Sequence, residues 1–350
     1  MKKIYLPLGL LLFVALTGSS MYAYFSENSR QAAAALPRPE PAPVPATVDT
    51  LVPPALKDTL SFIGVGDIMD GTNYPSAAYL PADNGRGLWK PVNALLQDAD
   101  ITFGNLEGSV LTSGGSPKSC SDPSRCYVFR MPDSHVQNFV TAGFDVMSVA
   151  NNHSGDMGAS GRANTLKVLR ENGIETGGLL TKPTAIFEKD GITYGFIAFA
   201  PNSGCLNLRD VPTAKRLIAA LDSACDILIV SFHGGAEGSE YQHVPRKSET
   251  FFGENRGDVY AFAHAAIDAG ADMVWGHGPH VVRAAELYKD RFIAYSMGNF
   301  NTYSRFSLDG IKGLAPIVKI YTNREGKFLH GKIISCRQPG EGGPEPDAQH

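Results

Sequence analysis

Residues 144–156 read FDVMSVANNHSGD: an apolar run that stops on two amides and an imidazole, with a carboxylate three residues further on. The run 144–150 has the length and composition of a buried strand, and Asn151, Asn152 and His153 stand at its carboxyl end. The same layout recurs along the chain. Residues 60–66 end at Asp67, 101–104 end near Asn105 and Glu107, 226–232 end at His233, and 273–276 end at His277. Between these runs, residues 88–97, 134–142, 159–172, 212–222 and 258–269 space their apolar side chains three and four apart, the helical period. Asp190-Gly191 and residues 323–326 carry hairpin-turn chemistry. The pattern predicts an α/β fold with mixed sheets, and such folds place ligands outside the carboxyl ends of parallel strands.

Asp67, Glu107, Asn152, His153, His233, His277 and His280 are therefore candidates for one site. Taken singly, each reads as a turn former or helix cap. Together they are the carboxylate, amide and imidazole types that ligate divalent metals, recurring at the same end of successive strands. His135, His243, His264 and His330 lie in helices or late strands and read as packing or surface residues.

Composition bounds the rest. The 350 residues are 43% hydrophobic, with 31 basic and 35 acidic side chains and a formal net charge of -4. That excludes a disordered chain, a collagen-like repeat or a disulfide-dense miniprotein. It also leaves no basic surplus to drive nucleic-acid binding. Lys2 and Lys3 precede an uncharged stretch, residues 4–25, that reads as an export signal, either a retained signal anchor or a cleaved signal peptide. Residues 26–58 are an Ala/Pro-rich extended linker, 59–337 the folded domain, and 338–350 a tail of disordered composition. The expected location is extracytoplasmic, at the periplasm or cell surface, with the membrane engaged through residues 4–25. Cys120 and Cys126, in a Ser/Asp/Pro loop, are expected to pair in an oxidising compartment. Cys205, Cys225 and Cys336 leave an odd count and match no zinc-binding spacing.

The motifs Gly66-Asp67, Gly104-Asn105-Leu106-Glu107, Ala150-Asn151-Asn152-His153 with Asp156 and Gly158, His233 with Gly235, Ala269-Gly270-Ala271-Asp272, Pro279-His280-Val281 and residues 295–300, YSMGNF, occur in this order. Together they resemble the CapA family of poly-γ-glutamate capsule synthesis proteins, which are similar to calcineurin-like metallophosphoesterases. The resemblance implies a four-layer αββα sandwich of two mixed β-sheets flanked by helices. By the same resemblance Asp67 binds a first metal, Glu107 bridges two, Asn152 and His233 bind the second, and His280 returns to the first. His153 is then placed to donate a proton. Asp156 either orients that imidazole or caps the following helix.

The chain departs from the family pattern at two positions. Gly278 stands where many members have the first histidine of His-x-His, so His277, one residue earlier, is the candidate for the second metal. Met69 stands where phosphoesterases usually have a histidine. The acidic residue that follows His233-x-Gly in the family corresponds to Glu237 or Glu240.

Oxygen and nitrogen ligands without thiolate suit two divalent ions, manganese, iron(II) or zinc. Tyr241, Phe251, Phe252, Tyr303 and Phe306 either line a cleft or fill core, and Arg246, Lys247, Arg283 and Arg305 either receive a polyanion or are solvated surface charge. The implied function is an extracytoplasmic metal-dependent hydrolase or transferase in synthesis, processing or export of the polymer. The alternatives are a phosphoesterase acting on phosphate esters and a non-catalytic export or scaffold subunit. The implied partners are an anionic polymer or phosphate-ester substrate, the membrane, and other capsule-synthesis subunits.

Overall fold

The sequence TLSFIGVGDIM forms β1 (Thr59–Met69), a strand buried on both faces over nearly its whole length. Such a strand belongs in the middle of a sheet covered on both sides. The structure is a computed structural model, and it describes residues 57–120 and 126–348. β1 is followed by β2 (Ile101–Leu106), β3 (Val146–Ser148) and β4 (Glu175–Gly177). The chain then builds a second sheet from β5 (Thr184–Lys189), β6 (Ile192–Phe199), β7 (Ile227–His233), β8 (Met273–His277), β9 (Ala285–Tyr288) and β10 (Arg291–Ala294). It returns to the first sheet with β11 (Asn299–Thr302), β12 (Ile317–Asn323) and β13 (Phe328–Ile334).

The first sheet runs β13-β12-β1-β2-β3-β4, with β11 beside the second half of β1; the other runs β9-β10-β8-β7-β6-β5. β1 to β4, and β11 on β1, are parallel, as are β6, β7, β8 and β10, whereas the hairpins β12/β13, β5/β6 and β9/β10 are antiparallel. Both sheets are thus mixed. The β5/β6 hairpin turns at Asp190-Gly191 with both residues left-handed, as the sequence predicts.

Aromatic contacts hold the sheets face to face. Phe103 of β2 stacks on Trp275 of β8 at 6.2 Å and meets Phe196 of β6 at 5.7 Å, and Phe62 meets Tyr194. The first sheet's outer face carries the short helices α1 (Arg86–Trp89) and α2 (Asn93–Leu96), then α3 (Val136–Ala142) and α4 (Gly158–Glu171). Trp89 there packs against Phe139, Phe144 and Phe300. On the second sheet α5 (Val211–Asp222) and α6 (Val259–Asp268) do the same, with Phe262 wedged against Phe199 and Phe232. Asp210 and Asp258 cap α5 and α6 by accepting the amides of Thr213 and Ala261. The result is the four-layer sandwich.

Two expectations change in detail. The single helix over 88–97 is split into α1 and α2, because Pro91 has no amide to continue the ladder. From Gln338 to Ala348, where the composition predicts disorder, the chain is held. The Gln338 carboxamide oxygen accepts the Thr302 amide at 2.7 Å, and Glu345–Pro346 pairs with Cys336–Arg337. Cys120 and Cys126 are bonded, and Cys205, Cys225 and Cys336 are free thiols. The export signal and nearly all of the linker lie outside the described residues. Among those described, no helix is long and apolar enough to cross a membrane.

Gly66 is a position beside the candidate site where the fold is unforgiving. A Cβ there would lie 2.1 Å from the carbonyl oxygen of Gly298, whose close approach lets it accept the Asp67 amide at 2.9 Å. Gly66→Ala is expected to cost about 1–3 kcal/mol or more, whereas Gly87→Ala in α1, with nothing within 4 Å, is expected to be neutral or slightly stabilising. Thermal midpoints of the two variants check this; equal midpoints would show that the β1 contact with Gly298 is not tight.

Candidate metal centre

Each candidate ligand sits at a strand end, and the backbone explains where it points. Asp67 occupies a place on β1 where register shifts against both neighbours, β2 and β11. A bulge of this kind re-aims a side chain. Glu107 follows β2 directly, its amide held by Ile68 O at 2.8 Å. Asn152 and His153 lie in the turn after β3. His233 and His277 close β7 and β8 and are paired residue for residue. His280 has a left-handed backbone, φ 56°, after Gly278 at φ 110°. A non-glycine residue there costs about 1–2 kcal/mol, and such strain persists where surrounding contacts enforce it.

These residues converge. Ligand atoms of Asp67, Glu107 and His280 all lie within 4.8 Å of one another. His280 Nδ1 is 3.1 Å from Asp67 Oδ2 and its Nε2 is 3.6 Å from Glu107 Oε1, while His233 Nε2 is 4.0 Å from the same Glu107 oxygen. His277 Nδ1 lies 3.1 Å from Asp67 Oδ1, which also accepts the Asn105 amide at 2.8 Å. With its proton on Nδ1 toward Asp67, His277 keeps a lone pair on Nε2.

Whether a cation fits can be read from the unsatisfied atoms. Both oxygens of Glu107, Oδ1 of Asn152, both ring nitrogens of His233 and Nε2 of His277 are buried without a hydrogen-bond partner. Each such atom costs about 1–3 kcal/mol, and a whole domain is stable by only about 5–15 kcal/mol. So many buried polar atoms mark a site made for a ligand, and the Glu107 oxygens, Asn152 Oδ1, His277 Nε2 and the one unprotonated nitrogen of neutral His233 are lone-pair donors suited to a divalent ion.

The electrostatics agree. Burial works against charge on Asp67, yet hydrogen bonds with His277 and His280 outweigh it and hold the carboxyl well below its usual range. Glu107, with no such partners, is pushed well above its usual range by burial, and the Asp67 charge adds to this. Burial opposes charge on His280, but Glu107 and Asp67 prevail and push its imidazole up to about 10. Burial drives His233 well below its ordinary value, which leaves it neutral and free to ligate. Two carboxylates in a dry cleft call for positive charge, and a divalent cation supplies it.

A second group adjoins the cluster. His153 Nδ1 is 2.7 Å from Asp156 Oδ2, which also accepts the Phe129 amide at 2.7 Å, and the Phe129 ring stacks on the imidazole at 4.3 Å. Lys118 Nζ stands 2.6 Å from Asp156 Oδ1 and 3.3 Å from His153 Nδ1. Burial lowers the His153 pKa, with Asp156 opposing. Asp156 does not cap α4, which begins after Met157 with no side-chain cap; its carboxylate is shared among the His153 imidazole, the Phe129 amide and Lys118.

The structure also sorts the remaining candidates. Glu237 acts on Glu107 and His280 and pairs with Arg256 at 2.8 Å, while Glu240 lies in an exposed turn. Arg283 is no anion receptor: it is buried in a two-pronged pair with Glu249. Asn105 and Asn299 were assigned no role from sequence, yet Asn105 bonds Asp67 and Asn299 Oδ1 meets His280 Nδ1 at 3.0 Å. Strand alternation, which places residues 105 and 107 on one side, is a signal that points to the first. Lys118 and Phe129 are remote in sequence and have no local signal.

Two packed mixed sheets with carboxylates and imidazoles gathered at their strand ends define a four-layer α/β sandwich with a candidate metal centre. Within that class the chain belongs to the bacterial capsule synthesis protein family PGA_cap, whose model matches residues 61–304. It is similar to the capsule biosynthesis protein CapA of Bacillus anthracis, 27% identical over 265 residues that cover 69% of this chain and 60% of that one. It is also similar to a probable polyglutamine synthesis accessory protein of Mycobacterium tuberculosis, 30% identical over 250 residues covering 63% and 60%. The chain thus matches about 60% of the length of these relatives. Among solved structures, the calcineurin-like phosphoesterase YfkN of Bacillus subtilis overlays with a TM-score of 0.45 at 14% identity, over 79% of this chain and 90% of that one.

Binding of a cation to the folded state alone raises stability, by about 2.7 kcal/mol at a hundred times the dissociation constant. Manganese or zinc is therefore expected to raise the thermal midpoint of the wild-type domain and to leave that of Glu107→Gln nearly unmoved. An equal rise in both proteins would place the cation elsewhere.

Proposed function

We propose that this protein is an extracytoplasmic, metal-dependent hydrolase or transferase of the CapA type, acting on an anionic capsule polymer of the poly-γ-glutamate kind. The observation that carries the reading is the set of buried, unsatisfied lone pairs on Glu107, Asn152, His233 and His277 beside Asp67 and His280. Asp67, Glu107 and His280 would hold one ion, and Glu107, Asn152, His233 and His277 are the residues that would hold a second. Two divalent ions bound there, manganese, iron(II) or zinc, would supply Lewis acidity and lower the pKa of water for hydrolysis near neutral pH.

The chain's own residues do the rest. Asp67 and Glu107 balance the cationic charge, and Asn105 and Asn299 keep the Asp67 carboxylate and the His280 imidazole in place. His153 offers its outer nitrogen, Nε2, to the leaving group and donates the proton there. Asp156 and the Phe129 ring hold the imidazole in orientation. The bonded Cys120–Cys126 pair supports an oxidising compartment, and residues 4–25 are the proposed membrane tether, either retained or removed. Other capsule-synthesis subunits are proposed partners through the family.

Purified protein with added manganese or zinc should release product from a γ-glutamate oligomer, assayed beside a generic phosphodiester. Turnover of the phosphodiester alone would move the assignment to a phosphoesterase, the reading favoured by the ligand types. Asn152→Ala should lose metal and activity together, with partial recovery in excess metal. His153→Ala should keep its metal and its thermal midpoint while turnover falls on the order of a hundredfold or more. Full turnover by His153→Ala on every substrate would end the catalytic role for that residue and favour a scaffold subunit.

A further inference from the structure

Beyond the metal centre, the loop that follows β11 carries a feature with no structural purpose of its own. Ser304 and Arg305 are consecutive non-glycine residues with left-handed backbones, φ 54° and 58°. The strain is pinned at both ends. The Tyr303 amide is held by Met69 O at 3.0 Å, two residues past Asp67, and the Phe306 amide by Ser304 O at 2.6 Å. Adjacent strained residues beside a site are a reason to ask what the strain presents.

It presents a guanidinium. The Arg305 Cζ lies 4.8 Å from the Tyr79 ring centroid and 5.1 Å from that of Tyr127, so the group sits between two aromatic walls. Among the described residues no carboxylate forms an ion pair with it. The next residue, Phe306, faces the metal centre: its ring is 5.4 Å from that of His280 and stacks at 5.2 Å on Phe129, which in turn stacks on His153. Arg305 and Phe306 both line an open cavity of about 520 Å³. The cavity is thus one aromatic ring, Phe306, away from the candidate ligand His280 and two, Phe306 and Phe129, away from the candidate proton donor His153.

We propose that Arg305 is a substrate-binding residue that receives one oxyanionic group, a carboxylate or a phosphate, of a substrate whose reacting bond lies at the metal centre. The inference rests on the catalytic reading of that centre and adds to it the determinant of substrate charge. A guanidinium held between tyrosine rings keeps its planar edge of donors for two-pronged recognition. Asp309 and Glu341 line the same cavity and repel a second anion, so the receptor takes a single charged group at this point. On a γ-linked glutamate chain the free α-carboxylate of a residue next to the reacting amide has the required chemistry.

The test measures binding and metal content together. A short γ-glutamate oligomer and a phosphate monoester are titrated calorimetrically into metal-loaded wild type, Arg305→Gln and Arg305→Lys, with metal stoichiometry and thermal midpoint recorded for each. Arg305→Gln should keep its metal and midpoint and bind the oligomer roughly tenfold or more weakly. Arg305→Lys, which keeps the charge and loses the fork, should fall between. If the loss is confined to the phosphate monoester, the receptor stands and its anion is a phosphate. Unchanged binding of both probes by Arg305→Gln overturns the receptor while leaving the metal reading intact, and so does a metal-loaded wild type that binds neither. A wild type that takes up no metal fails the catalytic reading instead, and the receptor with it. Should Arg305→Gln not fold, Tyr127→Ala removes one aromatic wall, and undiminished oligomer binding there overturns the proposal.

Discussion

The site depends on one short crossing of the chain from the second sheet to the first. Residues 295–299 leave β10 beside β8, where the Met297 amide bonds Gly276 O, and arrive alongside β1, where Gly298 O accepts the Asp67 amide. The backbones are so close that both Gly66 and Gly276 would collide with carbonyl oxygens if they carried a Cβ. This contact brings the carboxyl ends of β1 and β2 against those of β7 and β8. Without it, Asp67 and Glu107 on one sheet would not share space with His233 and His277 on the other.

That proximity has an electrostatic cost, and the cost explains the chemistry. Water is excluded from two carboxylates and three imidazoles, so charge on any one of them is opposed by burial and offset only by its neighbours. The Asp67 charge is secured by hydrogen bonds, Glu107 is left with unsatisfied oxygens, and His233 is held neutral. A hydrophobic replacement of the whole set would be the cheaper way to fill a core. That the set consists of buried lone-pair donors instead is the observation that supports the proposed cation-binding function.

Around this centre the structure divides labour among loops. The turn after β3 brings His153 and Asp156, the segment ending in the Cys120–Cys126 loop brings Lys118 to the same carboxylate, and the loop after β11 brings Phe306 and Arg305. The aromatic column from Phe306 through Phe129 to His153 joins these loops into one wall. Strand ends carry the candidate ligand set, while loops carry the groups proposed to meet the substrate, the usual arrangement for a scaffold with a grafted site.

The alternation of apolar runs and helical periods was enough to predict α/β layers, because burial imposes a distinct period on each element. The ligand types were legible for a similar reason: a polar residue that ends an apolar strand has few bland explanations when the pattern repeats. Asp67, Glu107, Asn152, His233, His277 and His280 were all named on that basis, and the structure sets Asp67, Glu107, His233, His277 and His280 each within 4.0 Å of another of them. Other features depend on contacts between residues far apart in the chain. Nothing local to Lys118 foretells its ion pair with Asp156, and nothing local to Arg283 shows that Glu249 consumes its charge. The choice of Glu237 over Glu240, and of imidazole orientation over helix capping for Asp156, was likewise made by packing. The sequence by itself determined which chemistry stood at the strand ends, because strand period and residue type are local properties. Only the tertiary structure decided which charges were paired, buried or left free, because those depend on which strand ends meet across the two sheets.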